Sequence, residues 1–254
     1  MSSDHRGGFG AWECLTSPMP HQKGRWCARV VIRSVNFLLR KHVIGVSGLE
    51  HIAVNNDPFI LALNHSQKVE APLVGALLGQ LREGKNIRFI ADWNLLLVPG
   101  VFVLYRAGQV IILDRKPAKP NFLNVFRPWL TARIPATERA AQLIDEGHSI
   151  GIYPEGTVNN NPDELLRGLP GAAALSIGKQ VPVVPAGIRF PQRQGDRPIR
   201  ESDPFEMEFG PPLKPPKVEG TSERRAIRTF HHSIMREIAR LSGKSWQAES
   251  SKRK

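Results

Sequence analysis

The sequence predicts an α/β fold: a mixed, mostly parallel β-sheet covered by helices, with an amphipathic helix near the N-terminus. Two observations predict this class. Short apolar segments recur along the chain, several with β-branched residues at consecutive positions, as in strands that are covered on both faces. Helical patterns separate these segments, and such alternation is typical of layered α/β architecture. The 254 residues are enough for one sizeable buried core.

The predicted elements follow from these patterns in chain order. Buried strands are expected at 59–63, 87–91, 110–113, 150–153 and 181–188, and an edge strand at 205–209. Helices are expected at 25–42, 70–81, 137–146, 168–177 and 224–241. Glycines that follow two of these helices, Gly147 and Gly243, are typical stop signals. We expect one domain at 25–243, a flexible tail at 1–24 and a basic disordered tail at 244–254.

The first predicted helix, 25–42, carries apolar residues on more than one side. One apolar stripe follows helical spacing, a second flank contains Trp26, Val30 and Phe37, and arginines form a narrow polar stripe between them. This arrangement favours a helix with one side on the domain and the other on lipid. It equally fits an ordinary core helix with a hydrated arginine stripe.

A proline-rich segment, residues 116–133, differs from the rest of the chain. Its prolines forbid a long regular helix, while Phe122, Phe126 and Trp129 need cover. Such a segment is expected to fold over the edge of the core or over a ligand cleft.

The charge balance restricts the class of partner. With 35 Lys and Arg against 23 Asp and Glu, the net charge is +12, which favours nucleic acid, an anionic membrane or a phosphorylated substrate. No nucleic-acid-binding signature accompanies it, so nucleic acid is not a predicted partner. The two cysteines have neither disulfide-framework nor metal-ligand spacing, which suits a reducing compartment. We expect no signal peptide and no membrane-spanning segment.

A histidine and a carboxylate stand five residues apart after the first predicted strand, at His65 and Glu70. The carboxyl end of a strand in an α/β sheet is where ligand crevices form. A histidine held by a carboxylate can take a proton from an alcohol. Residues with this spacing lie about 140° apart on a helix, so the pair meets only if His65 precedes the first turn.

Two further segments resemble catalytic motifs. Tyr-Pro-Glu-Gly-Thr at 153–157 forms a turn at a strand's carboxyl end, where a charged Glu155 needs a partner if it is buried. By itself this segment also fits a turn whose glutamate caps a helix. Gly-His-Ser-Ile-Gly at 147–151 matches the G-x-S-x-G elbow of hydrolases, but a helix precedes Ser149 and a strand follows it. A serine hydrolase that uses Ser149 is therefore a disfavoured alternative.

Four blocks together resemble the glycerolipid acyltransferase superfamily, whose best-known members are the 1-acylglycerol-3-phosphate acyltransferases. Residues 64–70 resemble its N-H-x4-D motif, and residues 110–115 its apolar strand that ends in arginine. Residues 153–157 resemble its F-P-E-G-T-R motif, and residues 181–185 its V-P-I-V-P motif. The blocks stand in the family's order, and the resemblance covers about residues 45–210.

The resemblance implies a role for each matching residue. His65 would deprotonate an acceptor hydroxyl that attacks an acyl thioester, and Glu70 would orient His65. Pro185 would shape the acyl side, and the acceptor would be held by Arg115, Glu155, Gly156, Thr157 and Arg167. The donor would be acyl-CoA or acyl-carrier protein, with no metal or prosthetic group. The enzyme would lie peripherally on the cytoplasmic side of a membrane, with an anionic surface and a lipid acceptor as partners.

Two departures from the family's pattern concern the site. Glu70 replaces the usual aspartate, and Val158 stands where the third motif often has arginine. The predicted function is acyl transfer to a lysophospholipid such as 1-acylglycerol-3-phosphate. The alternatives are a phosphate-free lipid alcohol or glycolipid as acceptor, and a catalytically impaired member that binds anionic membrane.

Overall fold

A computed structural model describes residues 5–6, 11–131, 134–218 and 222–248 of the chain. The strands are β1 (His5–Arg6), β2 (Val43–Ser47), β3 (Ile60–Leu63), β4 (Arg88–Asp92), β5 (Ile111–Leu113), β6 (Ile150–Ile152), β7 (Val183–Arg189) and β8 (Phe205–Phe209). The α-helices are α1 (Ala11–Thr16), α2 (Trp26–Leu39), α3 (Glu70–Leu81), α4 (Val101–Gly108), α5 (Arg127–Leu130), α6 (Ala136–Asp145), α7 (Gly171–Lys179) and α8 (Glu223–Ser242).

The strands form one sheet in the order β1-β2-β8-β7-β3-β6-β4-β5. The pairs β1–β2 and β7–β8 are antiparallel, and the remaining pairs are parallel. The sheet is therefore mixed and mostly parallel, as predicted. Strand β3 lies between β7 and β6 and runs parallel to both, so the carboxyl ends of the three strands share one edge.

Both faces of the sheet are covered, and successive residues of β3 show why its sequence is continuously apolar. Leu61 and Leu63 belong to the apolar layer that includes residues of α3. Ile60 and Ala62 belong to the opposite layer, formed with α6, α7 and α8. Because side chains of a strand alternate between faces, each residue of this central strand meets an apolar layer.

Helix α2 confirms the predicted amphipathic helix, with a short 3₁₀ turn at Arg40–His42 after it. Ala28 and Ile32 are buried, and so is Asn36, whose Nδ2 donates to the Ala76 carbonyl and to Gln80 Oε1 on α3. On the second flank Trp26 and Val30 are exposed, whereas Phe37 is partly buried against the core. No helix in the described ranges is long and apolar enough to cross a bilayer.

Three expectations need correction. Residues 11–22 are not a flexible tail, because α1 and a 3₁₀ turn at Pro20–Gln22 form there. Cys14 of α1 packs in the core. Residues 1–4 and 7–10 of the expected tail lie outside the described part. Strand β8 is not an edge strand, because β2 pairs with its outer side. Residues 244–248 are not a disordered tail, because Ser245 pairs with Glu164; residues 249–254 lie outside the described part.

The proline-rich segment forms a 3₁₀ turn at Asn121–Phe126 and the short helix α5. Phe122, Phe126 and Trp129 are exposed, so the segment does not bury its aromatic side chains within the chain. Residues 132–133, at its end, lie outside the described part.

Candidate active site

The histidine and the carboxylate predicted to act together are in contact. His65 lies in the loop between β3 and α3, and Glu70 is the first residue of α3. His65 Nδ1 lies 2.9 Å from Glu70 Oε2, and the same oxygen accepts a hydrogen bond of 2.8 Å from the Ser66 N–H. An ionised carboxylate only accepts, so this contact suits the tautomer of a neutral imidazole that has its proton on Nδ1 and its lone pair on Nε2. The pair meets because His65 precedes the first helical turn.

The two members of this pair differ in solvent access. The Glu70 side chain is fully buried, whereas the His65 side chain remains 13% exposed. A carboxylate at the start of a helix is favoured by the helix dipole, which partly offsets the cost of burying Glu70. The imidazole can therefore meet a substrate while its partner is shielded from water.

Tyr153 forms a platform under the imidazole. Its ring stacks on His65 with centroids 4.3 Å apart, and Phe89 stacks on Tyr153 at 5.5 Å. The Tyr153 hydroxyl is buried with no hydrogen-bond partner among the described residues. Burial, and after it the charge of Glu70, raises the pKa of Tyr153 well above its ordinary value. Tyr153 therefore stays neutral and fixes the plane of the imidazole.

Glu155 joins several segments of the loop region. Its Oε1 accepts from the His65 N–H at 3.2 Å, and its Oε2 accepts from Asn159 Nδ2 at 2.7 Å and from the Leu166 N–H at 2.8 Å. Burial raises the pKa of this carboxyl group, and the three donors together with Lys244 oppose that shift. These donors hold Glu155 against the His65 loop. The acceptor-binding role that the resemblance implies for Glu155 stays a prediction.

Two cationic side chains contact the residue that follows Glu155. Arg115 Nη2 and Lys116 Nζ donate to the Gly156 carbonyl at 3.1 and 3.2 Å. Gly156 has a φ of +66°, a left-handed conformation that favours glycine. Arg115 and the neighbouring Thr157 are exposed. This rim of the site can receive an anionic group.

Arg167 is exposed, and its backbone is fixed from the C-terminal side. Its carbonyl accepts from Trp246 Nε1 at 3.2 Å and from His231 Nε2 at 3.3 Å. The Leu169 N–H donates to the Pro154 carbonyl at 2.8 Å, which ties this turn to the third motif. Helix α7 begins only at Gly171, so Arg167 is not at the helix N-terminus expected from the sequence.

Pro185 lies away from the carboxyl edge of the sheet. It is the third residue of β7, pairs with Ala62 and is buried. Its carbonyl accepts from the Gly210 N–H at 2.8 Å. The structure therefore gives Pro185 a place inside the sheet, and its expected role on the acyl side stays a prediction.

Ser149 does not have the geometry of a nucleophile. It directly precedes β6 at the amino end of the strand, opposite the edge where His65 lies. Its side chain is buried, its hydroxyl donates to Asp57 Oδ1, and it accepts from the Phe59 N–H at 3.1 Å. The structure thus contradicts the hydrolase alternative.

Several site residues were missed by sequence reasoning. Tyr153 and Lys116 stand inside or beside the quoted motifs, so their positions could have been noticed. Lys244 had no such signal, since it follows a helix stop in a charged segment. It is buried, and its Nζ donates to Ser66 Oγ at 2.9 Å and to the Asn161 carbonyl at 2.7 Å.

The fold and the site define a class: an α/β enzyme with a histidine–carboxylate pair at the carboxyl edge of its sheet. A family model described as Acyltransferase matches residues 43–189, more than half of the chain. The chain belongs to this family of acyl-transferring enzymes, which confirms the resemblance carried by the four motifs.

One solved structure shows the same fold in another protein, the 1-acyl-sn-glycerophosphate (LPA) acyltransferase PlsC from Thermotoga maritima. The TM-score is 0.55 and the identity is 22%, with 88% of this chain and 80% of that chain covered. At this identity the similarity is evidence for the fold alone. No curated protein gives a significant match to the sequence.

Proposed function

We propose that the protein is a membrane-peripheral O-acyltransferase. It moves a fatty acyl group from acyl-CoA or acyl-carrier protein to the hydroxyl of a lysophospholipid such as 1-acylglycerol-3-phosphate. The observation that carries this proposal is the 2.9 Å contact between His65 Nδ1 and the buried Glu70, with the imidazole still partly exposed.

The proposed reaction is a direct transfer. His65 Nε2 takes the proton of the acceptor hydroxyl as its oxygen attacks the thioester carbonyl carbon, and Glu70 stabilises the imidazolium that forms. The tetrahedral intermediate then expels the thiolate as the carbon–sulfur bond breaks. The thiolate receives the proton from His65, so the histidine is regenerated and no acyl-enzyme forms.

The cationic rim supports an anionic headgroup on the acceptor. Arg115 and Lys116 both contact Gly156, the residue after Glu155, whose carboxylate accepts from the His65 N–H. Lys116 contacts the carbonyl of Gly156, two residues before Val158, which stands where the family often has an arginine. A phosphate-free lipid alcohol or glycolipid is the second candidate acceptor, and Val158 is the observation that favours it.

An apolar surface supports membrane attachment. We define it by Trp26, Phe102, Val103 and Trp129, which are all exposed and line one open cavity of ≈ 760 Å³ between α2, α4 and α5. Arg25 and Arg106 also line this cavity. Apolar side chains beside arginines suit the interface of an anionic bilayer, and the net charge of +12 adds long-range attraction. We place the enzyme on the cytoplasmic side, since the two cysteines have neither disulfide-framework nor metal-ligand spacing, which suits a reducing compartment.

One experiment tests both donor and acceptor. The purified protein is incubated with a total lipid extract and either acyl-labelled acyl-CoA or acyl-labelled acyl-carrier protein, and the labelled lipids are identified by mass spectrometry. The proposal predicts label in phosphatidic acid or another diacyl phospholipid. Label only in a phosphate-free lipid would contradict the acceptor, and vesicle binding without labelled lipid would support an impaired enzyme. Label only in free fatty acid, abolished by a serine-directed phosphonate, would support a hydrolase.

A further inference from the structure

We propose that Lys244 is a positioning residue for the His65–Glu70 pair, acting through Ser66 from the segment that follows the last helix. This inference rests on the proposed function for its kinetic consequences, although the arrangement of side chains does not depend on it. The site would then be completed by residues 244–246, which lie beyond the part of the chain matched by the family.

A short chain of hydrogen bonds connects Lys244 to the reacting imidazole. Lys244 Nζ donates to Ser66 Oγ at 2.9 Å, and the Ser66 N–H donates to Glu70 Oε2 at 2.8 Å. The same carboxylate oxygen accepts from His65 Nδ1 at 2.9 Å. A displacement of Ser66 therefore moves the oxygen that orients the histidine.

The charges around Lys244 explain why an ammonium group occupies a buried position. Lys244 is only 6% exposed, and an unpaired ammonium there would be strongly destabilising. Burial lowers the pKa of Lys244, while the carboxylates Glu155, Glu70 and Asp163 oppose that shift, and Arg193 adds to it. Glu70 Oε1 has no hydrogen-bond partner among the described residues. The positive charge thus compensates two buried carboxylates of the site.

Backbone hydrogen bonds fix residues 243–245 and with them the position of the Lys244 ammonium group. Gly243 ends α8 in a left-handed conformation with a φ of +71°, and the Lys244 N–H donates to the Ala239 carbonyl. The Ser245 N–H donates to the Asp163 carbonyl at 2.7 Å, and the Ser245 carbonyl accepts from the Leu165 N–H at 2.9 Å. The next N–H along, of Leu166, binds Glu155. One segment therefore fastens both Lys244 and the loop that contacts Glu155.

The charge of Lys244 has a predictable effect on catalysis. A buried positive charge disfavours protonation of the nearby imidazole and favours the ionised form of Glu70. Lys244→Met removes the charge and the two hydrogen bonds but keeps an unbranched side chain. We expect kcat to fall by about 10- to 100-fold, as small misplacements of a catalytic group do. We expect the KM for each substrate to change little, because Lys244 is buried and its ammonium group binds Ser66 and Asn161.

The test compares Lys244→Met and Lys244→Arg with Lys85→Met as the matched control. Lys85 is a partly buried lysine between α3 and β4, and its Nζ lies 2.7 Å from Oδ2 of Asp57, which precedes the amino end of β3. The measurements are the thermal midpoint, kcat and KM, and the pH profile of kcat/KM. We expect the acid limb of the profile to move to higher pH in Lys244→Met, and to stay in place in Lys244→Arg and Lys85→Met.

A titration of the His65 ring by NMR separates this inference from the proposed function, because it requires no turnover. We expect its midpoint to move to higher pH in Lys244→Met and not in Lys85→Met. An unchanged midpoint and an unchanged acid limb in folded Lys244→Met would overturn the positioning role, even if acyl transfer is confirmed. If Lys244→Met does not fold, Ser66→Ala is measured instead. An unchanged kcat and pH profile in Ser66→Ala would overturn the inference. A fall in kcat at constant KM would support it.

Discussion

At the scale of single residues, the glutamate at position 70 fits the geometry of this site. From the first turn of α3, its carboxylate reaches both His65 Nδ1 and the Ser66 N–H with one oxygen. Replacement of the family's usual aspartate by a longer side chain therefore does not prevent contact with the histidine. The departure noted in the sequence leaves a complete histidine–carboxylate pair.

Glu70→Ala should lower kcat by about 100-fold or more, because the imidazole loses both its orientation and the stabilisation of its charged form. Glu70→Asp should retain measurable transfer, since a carboxylate remains near Nδ1. The measurement is the steady-state rate of acyl transfer in folded variants. Glu201→Ala is the matched control, because Glu201 accepts from the Lys68 and Val69 N–H groups just before α3 without contacting His65. Equal rates for Glu70→Ala and the wild type would show that Glu70 has another role.

At the scale of secondary-structure elements, the sequence predicted best where the signal is local. The range of α3 matches the prediction, and most buried strands begin and end within two residues of it, because apolar runs and helical periodicity are local properties. The placing of β8 failed because pairing with β2 joins segments about 160 residues apart. Helix α4 has no counterpart among the predicted elements; Gly100, with a φ of +84°, stands immediately before its first residue.

The candidate site shows the same division. The contact between His65 and Glu70 could be predicted from the sequence. Two residues five positions apart meet only if the first precedes the helix, and the sequence places His65 there. The burial of Lys244 could not, since a charged residue after a helix stop is usually hydrated. Its burial depends on Ser66 and Asn161, which the fold brings from distant positions in the chain.

Helix α8 carries a histidine that should make stability depend on pH. Burial lowers the pKa of His231; the Arg167 carbonyl opposes this shift, and the charges of His232 and Arg167 add to it. His231 Nδ1 is buried with no hydrogen-bond partner among the described residues. Below about pH 6.5, His231 binds a proton in the unfolded chain but remains neutral in the folded protein. The free energy of unfolding therefore falls as the pH drops toward the folded-state pKa of His231.

We therefore expect the free energy of unfolding to decline less steeply between pH 7 and pH 5 in His231→Phe than in the wild type. Urea unfolding at several pH values measures this difference. His51→Phe is the control, because His51 is partly exposed and its ion-pair partner is Glu50, not a residue around His231. Identical acid slopes for His231→Phe and the wild type would contradict the assignment.

The apolar surface of α2, α4 and α5 makes a prediction about membrane binding. Trp26→Ser and Trp129→Ser should each weaken binding to anionic vesicles by roughly tenfold, because each removes a large apolar side chain from the interface. Co-sedimentation with vesicles measures the affinity. Val218→Ser, at another exposed apolar residue, should leave the affinity unchanged. Unchanged binding of both tryptophan variants would place the membrane contact elsewhere.

At the scale of the whole molecule, the sheet organises the chemistry. Its two covered faces hold β3 between apolar layers, and the loop that follows β3 presents His65 at the carboxyl edge. Glu155, after β6, and Lys244, after α8, contact this loop, and Arg115, after β5, contacts the Gly156 carbonyl beside Glu155. The apolar surface and the positive net charge would bring this edge to a lipid substrate.

The central claim is that the His65 imidazole activates the acceptor hydroxyl. The most direct measurement is the rate of acyl transfer from acyl-CoA to 1-acylglycerol-3-phosphate by purified wild type and His65→Ala, with folding of both checked by thermal unfolding. We predict that His65→Ala unfolds at nearly the wild-type temperature and has no detectable transfer. A folded His65→Ala protein that turns over at a substantial fraction of the wild-type rate would contradict it.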